Sequence, residues 1–338
     1  MCRVFVLLLA LVGLVLSGCV SRQDNSGPRA APASVPVSDL AGVTLQIGDQ
    51  KGRTEAILRA AGQLDNLPYR VVFSTFTSGP PQIEAATAGK IDFAATGNTP
   101  PIFGAASNAK VKVVSAYDTS GNGDQVLVHA ESPITAVAGL RGKTIAVAKG
   151  SNAHGNLLAQ LNRAGLAPSD VTFVFLQPAD ALSAFAQRQV DAWAVWDPYT
   201  AQTEKQIPVR SIAAAYGVTN GYWLGVASDA ALADPKRSSA LQDLLVRFDK
   251  GIQWAQAHPQ EWAASYAAAI GLDPQVATVS QARSLPLPIA LNDDVVASEQ
   301  RIADLFASSG QLPSSPKLAD WVDFRYRDAL KPYVTELK

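Results

Sequence analysis

Short β-rich runs alternate with helical segments along most of the chain, and this alternation constrains the fold more than any other feature of the sequence. Residues 43–47 and 70–73 are largely β-branched or aromatic, whereas residues 54–64 between them have the spacing of an amphipathic helix. Such alternation is typical of α/β proteins with a parallel sheet. Further strands are predicted at 91–95, 111–116, 125–129, 144–148, 171–176, 191–195 and 222–227, and further helices at 81–88, 100–107, 153–164, 180–187 and 198–205.

The length of the chain and the end of this pattern predict two lobes. With 338 residues, of which 48% are hydrophobic, the chain can bury two cores. After the strand at 222–227 it is predicted to be helical, which suggests a return to the first lobe. We therefore expect an α/β fold of two doubly wound sheets around a central cleft, with residues 41–120 and 222–338 in one lobe and 121–221 in the other. The net charge of −1 offers no basic surface for nucleic acid.

The first residues predict secretion and a lipid anchor. Residues 4–16 are apolar, and a run this short is typical of a signal peptide rather than of a membrane span. Leu16-Ser17-Gly18-Cys19 resembles the lipobox of bacterial lipoproteins, in which the cysteine is acylated. We expect residues 1–18 to be removed, Cys19 to carry the lipid, and residues 19–40, rich in Pro, Ala, Ser and Gly, to form a flexible linker.

Three helix starts predict an anion-binding site. Ser78-Gly79-Pro80-Pro81 and Asn98-Thr99-Pro100-Pro101 place proline in a first helical turn, and Lys149-Gly150-Ser151-Asn152 follows a short apolar strand. The free amides of a first turn point outward with the positive end of the helix dipole. Each start is also compatible with an ordinary turn between strand and helix. Their recurrence favours one oxyanion held by neutral donors, without arginine or lysine.

Metal and acyl-transfer chemistry have no support in the sequence. His129, His154 and His258 lack the spacing of a zinc site, and no Gly-x-Ser-x-Gly motif is present. The mature chain would have no thiol, because Cys2 leaves with the signal peptide and Cys19 is acylated. We therefore expect no metal and no cofactor.

Six motifs occur in the order typical of one family. They are Ser78-Gly79-Pro80-Pro81, Gly89-Lys90-Ile91-Asp92-Phe93, Thr96-Gly97-Asn98-Thr99-Pro100-Pro101, Lys149-Gly150-Ser151-Asn152-Ala153-His154, Gln177-Pro178-Ala179-Asp180-Ala181 and Asp191-Ala192-Trp193-Ala194-Val195-Trp196-Asp197-Pro198. Together they resemble the aliphatic sulfonate-binding proteins, the extracytoplasmic receptors of ABC importers in the nitrate, sulfonate and taurine group. The resemblance covers residues 43–227 clearly and the helical tail more loosely.

This resemblance implies a type II periplasmic-binding-protein fold, in which two lobes joined by two crossings, here near residues 117–125 and 217–222, close over the ligand. It implies a monomeric binding protein of the cell envelope, not an enzyme, that works with ABC permease and ATPase subunits. The ligand-binding residues that it implies are Gln50, Ser78, Gly79, Gly97, Asn98, Thr99, Ser151, Asn152, His154, Trp196, Asp197 and Tyr222.

The chemistry of a sulfonate agrees with this resemblance, but the exact ligand stays open. A sulfonate accepts hydrogen bonds and donates none, which suits Asn98 where such families often carry Asp. Asp49 in place of an aromatic residue is a second departure. Trp196, at the end of a strand, is the expected apolar wall, and Trp193 is expected in the core. Nitrate, taurine, sulfate esters or a thiamine-precursor pyrimidine are alternative ligands, and a bilobal envelope enzyme or a sensory lipoprotein are alternative functions.

Overall fold

The structure, a computed structural model, describes residues 31–336 and contains two mixed β-sheets flanked by helices. The predicted signal peptide and Cys19 lie outside the described residues. The strands are β1 (Thr44–Gln50), β2 (Arg70–Phe76), β3 (Phe93–Gly97), β4 (Val111–Asp118), β5 (Gln125–His129), β6 (Thr144–Val147), β7 (Thr172–Phe175), β8 (Ala192–Val195), β9 (Val209–Ala214), β10 (Tyr222–Ser228) and β11 (Leu287–Ile289). The helices are α1 (Arg53–Ala60), α2 (Gly79–Thr87), α3 (Thr99–Ala106), α4 (Asn152–Arg163), α5 (Pro178–Ala186), α6 (Tyr199–Gln206), α7 (Asp229–Ala233), α8 (Pro235–Ala257), α9 (Pro259–Ile270), α10 (Pro274–Ser284), α11 (Asp293–Ser308) and α12 (Arg327–Leu330).

Both sheets follow the same plan. The first has the order β11-β4-β10-β3-β1-β2, and the second has the order β7-β6-β8-β5-β9. In the first sheet β1 is parallel to β2 and β3, while β10 runs antiparallel to β3 and β4. In the second sheet β6 is parallel to β7 and β8, while β5 runs antiparallel to β8 and β9. The chain enters β5 when it arrives from the first sheet and β10 when it arrives from the second. Each of these two strands is antiparallel to both of its neighbours.

The predicted α/β class is confirmed, and the expectation of purely parallel pairing is wrong for β5 and β10. A sequence pattern indicates which strand residues are buried but not the direction of the strand. A strand that the chain enters from the other sheet therefore has the same pattern as the parallel strands beside it. Two strands, β9 and β11, were not predicted. The second is only three residues long and contains Pro288, which is unfavourable inside a strand.

Two short segments carry the chain between the sheets. Residues 119–124 join β4 to β5, and residues 215–221 join β9 to β10. Gly121 and Gly221 have positive φ, and a Cβ built on Gly221 would lie 2.5 Å from the Gly121 amide nitrogen. Only glycine permits this approach, so the two crossing segments touch each other.

Two apolar clusters pack on the first sheet, one forms the core of the second, and a fourth joins the two halves. Trp193 is fully buried in the core of the second sheet, as the sequence predicted. In the joining cluster, Ile102 of α3, Leu158 of α4 and Phe306 of α11 pack together. Helices from both sheets therefore share one buried contact.

The chain packs onto the first sheet before residue 41. The Val35 amide donates to Ser239 Oγ of α8 at 2.9 Å, and Leu40 is fully buried in the core. The described part of the predicted linker is thus attached to the fold from Val35 onward. Within residues 31–336, no helix combines the length and the hydropathy needed to cross a membrane.

Candidate ligand-binding cleft

The three predicted helix starts are present, and their first turns meet across the space between the sheets, which we call the cleft. Helices α2 and α3 follow strands of the first sheet, and α4 follows a strand of the second. Their N-caps are Ser78, Asn98 and Ser151. The carboxyl ends of parallel strands in doubly wound sheets open toward such a space, which explains why these starts converge.

Side chains at the helix starts form hydrogen bonds in the cleft, and one of these bonds joins the two halves. Ser78 Oγ, from the first sheet, donates to Gln177 Oε1 of the second at 2.8 Å. Asn152 Nδ2 donates to Asp124 Oδ2 at 2.6 Å. A Cβ on Gly97 would lie 2.8 Å from the Asn152 side chain, so the start of α4 lies directly against the end of β3. The helix starts are therefore in contact in this structure.

Asn98 connects the cleft to a crossing segment. Its Nδ2 donates to Asn220 Oδ1 at 2.8 Å, and its own Oδ1 accepts from the Thr99 hydroxyl at 2.9 Å. Asn220 in turn donates to Glu299 Oε1 of α11 at 2.6 Å. Burial raises the pKa of Glu299 to about 8, so its carboxyl stays protonated at neutral pH.

Ser151 bonds within its own half of the molecule, whereas the His154 ring lies among phenylalanines of both halves. Ser151 Oγ donates to the Ala148 carbonyl at 2.7 Å and accepts from the His154 amide. The His154 ring lies within 5.1–6.3 Å of the rings of four phenylalanines, which are Phe103, Phe173, Phe175 and Phe306. Its Nδ1 accepts from the Gly150 amide, and burial lowers its pKa to about 4. A neutral ring among phenylalanines is not placed to bind an anion in the cleft.

A small cavity remains at the other end of the cleft. Its volume is about 10 Å³, room for one water molecule at most. Residues of both halves line it, and they are Gln50, Lys51, Arg53, Trp223 and Tyr266 from the first and Trp196, Asp197 and Pro198 from the second. The cleft must therefore open before it can admit a ligand larger than water.

Arg53 places a positive charge beside this cavity. Its side chain is buried, and its guanidinium carbon lies 4.4 Å from the centre of the Trp223 ring and 5.9 Å from that of Tyr266. Its nitrogens donate to the Ser284 carbonyl and hydroxyl at 3.3 and 3.4 Å. Among the described residues it forms no ion pair with a carboxylate. A buried cation that no carboxylate contacts directly favours an anion at this place.

The neighbouring carboxylates of Asp124 and Asp197 feel the charge of Arg53 but have their own hydrogen-bond partners. Both oxygens of Asp197 accept from Arg283, at 2.9 and 3.0 Å. Burial raises the pKa of Asp197 to about 6 and that of Asp124 to about 7. Asp49, the departure noted in the sequence, accepts from the Thr54 and Glu55 amides and so caps the start of α1.

The structure gathers most predicted site residues into the two ends of the cleft. Gln50, Trp196 and Asp197 line the cavity, whereas the other end holds Ser78, Gly79, Gly97, Asn98, Thr99 and Asn152. Gly79 has no room for a side chain, because a Cβ there would meet Thr96 Oγ1 at 2.0 Å. Two residues lie apart: His154 in its aromatic cluster, and Tyr222, whose ring packs partly buried on the first sheet.

Five cavity-lining residues, Lys51, Arg53, Pro198, Trp223 and Tyr266, were not predicted from the sequence. Lys51 and Arg53 directly follow the first strand, so the strand-end rule that selected Gln50 could have found them. Tyr266 belongs to α9 in the helical tail, and no local motif indicates that it returns to the cleft.

Comparison with known families shows which family the chain belongs to. A family model described as NMT1/THI5 like matches residues 77–262, more than half of the chain. The chain belongs to this family. The match includes all three helix starts and Trp196, but it begins after Arg53.

Relatives of this NMT1/THI5-like protein confirm the resemblance noted from the motifs. A putative aliphatic sulfonates-binding protein of Escherichia coli K12 is 32% identical over 325 residues, 94% of each chain. The alkanesulfonate-binding protein SsuA of Xanthomonas axonopodis pv. citri, solved with bound MOPS, is 28% identical with a TM-score of 0.75 and covers 90% of this chain and 100% of its own.

These relatives are binding proteins, and the chain is a binding protein rather than an enzyme. The desulfurization enzyme DSZB also has this architecture, with a TM-score of 0.59 over 86% of this chain and 99% of its own. Its identity is only 16%, so it shares the fold alone. The confirmed fold is that of the periplasmic binding proteins.

Proposed function

We propose that this NMT1/THI5-like protein binds an organic sulfonate, or a similar small oxyanion, between its two sheets and delivers it to an ABC permease. The observation that carries this proposal is Arg53, a buried guanidinium that lines the cavity and forms no ion pair with a carboxylate of residues 31–336. A sulfonate remains ionised at every physiological pH and can take the place of the missing counter-ion. A bidentate pair with guanidinium is among the stronger charge-assisted interactions.

The aromatic residues of the cavity suit the organic part of such a ligand. Trp196, Trp223 and Tyr266 surround the guanidinium and offer apolar faces to an alkyl or aryl tail. The amide of Gln50 adds a neutral donor. The site thus combines the positive charges of Arg53 and Lys51 with apolar walls, which favours an organosulfonate over an inorganic anion.

Binding requires the two halves to separate and close again. We assign residues 41–120 and 222–338 to the first lobe and residues 121–221 to the second, with the crossing segments as the hinge. The paired glycines Gly121 and Gly221 make the joint compact. Closure would bring Trp196 and Arg53 onto opposite sides of the bound sulfonate.

The proposal includes a place in the cell envelope. The lipobox ending at Cys19 supports attachment to the outer face of the cytoplasmic membrane or within the periplasm, and the linker would let the lobes reach a permease. The protein would act as a monomer beside permease and ATPase subunits. Mass spectrometry and membrane fractionation of a Cys19→Ala variant test the anchor: acylated wild type and released variant are expected, whereas unchanged mass and fractionation would disprove it.

Calorimetry with a ligand panel tests the binding function. We expect 1-octanesulfonate and ethanesulfonate to bind, and nitrate, taurine, sulfate esters and a thiamine-precursor pyrimidine to bind more weakly. Tight binding of one of these four, with none for the alkanesulfonates, would replace the proposed ligand class. Chemical turnover of a bound ligand would instead favour the envelope enzyme.

A further inference from the structure

A second cavity lies in the first half of the molecule, and none of its lining residues lines the cleft cavity. Its volume is about 200 Å³. Strands β4 and β11, helix α8 and the C-terminal segment enclose it. Most of its wall is apolar, formed by Val114, Ala116, Ile289, Leu291, Phe324, Leu330 and Val334.

Asp249 of α8 lines this cavity with an unsatisfied carboxyl. Its side chain is only 1% exposed, and neither of its oxygens has a hydrogen-bond partner among the described residues. The Ser115 hydroxyl, which also lines the cavity, has none either. Burying a carboxyl without hydrogen-bond partners is unfavourable, because the group loses its bonds to water. A ligand able to donate hydrogen bonds would offset this loss.

A third polar group lies beside these two. The buried Tyr117 hydroxyl interacts with the Asp249 carboxyl and the Ser115 hydroxyl, although none of these groups forms a hydrogen bond of normal geometry among residues 31–336. Its pKa lies well above the usual range because of burial and the nearby charge of Asp249. Carboxyl and hydroxyl oxygens all accept hydrogen bonds, so this part of the cavity has more acceptors than donors.

A β-bulge shapes the polar wall. Ser115 pairs with Gly225 and Val113 pairs with Val226, which leaves Val114 unpaired between them. Val114 and Ser115, two successive residues, consequently both reach the cavity. Bulges of this kind redirect side chains and are common beside binding sites.

We propose that this cavity binds a small organic amine, whose ammonium group pairs with Asp249 and whose apolar body fills the space along β11. An ammonium group offers three N–H donors, which match the Asp249 carboxyl and the Ser115 hydroxyl. An engineered apolar cavity of about 150 Å³ binds benzene, so this cavity has room for an amine with a single ring.

The charges at the entrance are balanced. Arg327, Asp328, Lys331 and Glu336 line it, two of each sign, so an entering cation meets no net repulsion. Burial raises the pKa of Asp249 well above its usual range. The ammonium ion keeps its three N–H bonds on entry, and the proton of the carboxyl leaves to solvent.

Calorimetry with benzylamine on the full-length protein tests this site. Benzyl alcohol serves as the uncharged probe of the same shape. We expect benzylamine to bind about tenfold more tightly than benzyl alcohol, as for a hydrogen bond to a charged group. Asp249→Asn should abolish this preference, and Asp328→Asn at the entrance should keep it. Equal affinity for the two probes, or a preference that survives Asp249→Asn, would overturn the proposal.

A second measurement does not depend on the variants folding. Crystals soaked in 4-bromobenzylamine should show a bromine anomalous peak in the cavity between β4 and α12. Saturation of the cleft with 1-octanesulfonate should leave benzylamine binding unchanged. A cavity that holds only water at saturating amine, or a bromine peak in the cleft, would show that no amine site exists there.

Discussion

The two ends of the cleft use polar groups in opposite ways. At the helix-start end, Asn98, Thr99 and Asn152 all have protein partners, and Ser78 bonds to Gln177 of the other half of the molecule. At the cavity end, Arg53 is buried among aromatic rings and forms no ion pair within the described part of the chain. The proposal that follows from this comparison is that the helix starts mainly hold the cleft together, while the charged end binds the ligand.

The largest effect is expected from the acid that supports the helix-start end. The pKa of Glu299 is raised by burial from 4.5 to about 8. Between these values the unfolded chain loses a proton that the folded protein keeps, so the free energy of unfolding falls as pH rises through this window. At about 1.4 kcal/mol per unit, the loss is on the order of 4 kcal/mol.

Glu299→Gln retains an acceptor for Asn220 and removes this titration. Urea unfolding from pH 4.5 to 8 should therefore show a flatter profile for the variant than for wild type. The exposed Glu84→Gln on α2 is the control, and its profile should follow that of wild type. A variant as steep as wild type would show that Glu299 does not support the helix-start end in neutral form.

Arg53→Gln tests the cavity end of the cleft. It should weaken the free energy of sulfonate binding by about 3 kcal/mol, roughly a hundredfold in Kd, because it removes the buried positive charge. Calorimetry with 1-octanesulfonate measures this effect. Arg59→Gln, on the same helix but exposed, is the control and should bind as wild type does. If Arg53→Gln binds normally while Thr99→Val does not, the roles of the two ends are the reverse of those assigned here.

Arg53→Gln also distinguishes the cleft from the cavity at Asp249, since benzylamine binding at Asp249 should not change.

Trp196→Ala should weaken binding of long sulfonates by about 2 kcal/mol and of ethanesulfonate by much less, because the indole covers apolar surface and donates nothing to the sulfonate. Titration of one variant with both ligands provides its own control. An equal loss for both chain lengths would place Trp196 at the sulfonate group rather than at the tail.

The smallest effect is expected at Ser151. Ser151→Ala removes the N-cap of α4 and should lower the free energy of unfolding by about 1 kcal/mol, with little change in sulfonate affinity. Thermal unfolding and calorimetry on the same sample distinguish the two quantities. A loss of affinity larger than the loss of stability would mean that the hydroxyl leaves Ala148 and binds the ligand.

The fold was predictable from the sequence because its evidence is local. Alternating strands and helices appear as periodic burial, and β5 was predicted with its observed bounds, Gln125–His129. Strand direction was not predictable at β5 and β10, since it depends on which sheet the chain has just left. The three-residue strand β11 is held by pairing with β4 rather than by its own sequence.

The candidate site was predictable only where it follows strands. The rule that ligands bind near strand ends found Gln50, Asn98 and Trp196. It could not find the partner of Arg53, because Ser284 lies 231 positions away along the chain. The rule also selected His154, which does lie in the first turn of α4, but its ring packs against Phe306. Such a rule locates the backbone at a site, and long-range packing decides where each side chain points.

The contact between Gly121 and Gly221 has a practical consequence for sensing. If the halves turn about this one joint, the displacement of any atom grows with its distance from the joint. A pair of dyes attached at the far rims would report binding with the largest signal, and dyes beside the glycines with almost none. The extra methyl group of Gly221→Ala would push the two crossing segments apart. The angle between the halves in the absence of ligand could therefore be changed without altering any residue that lines the cavity.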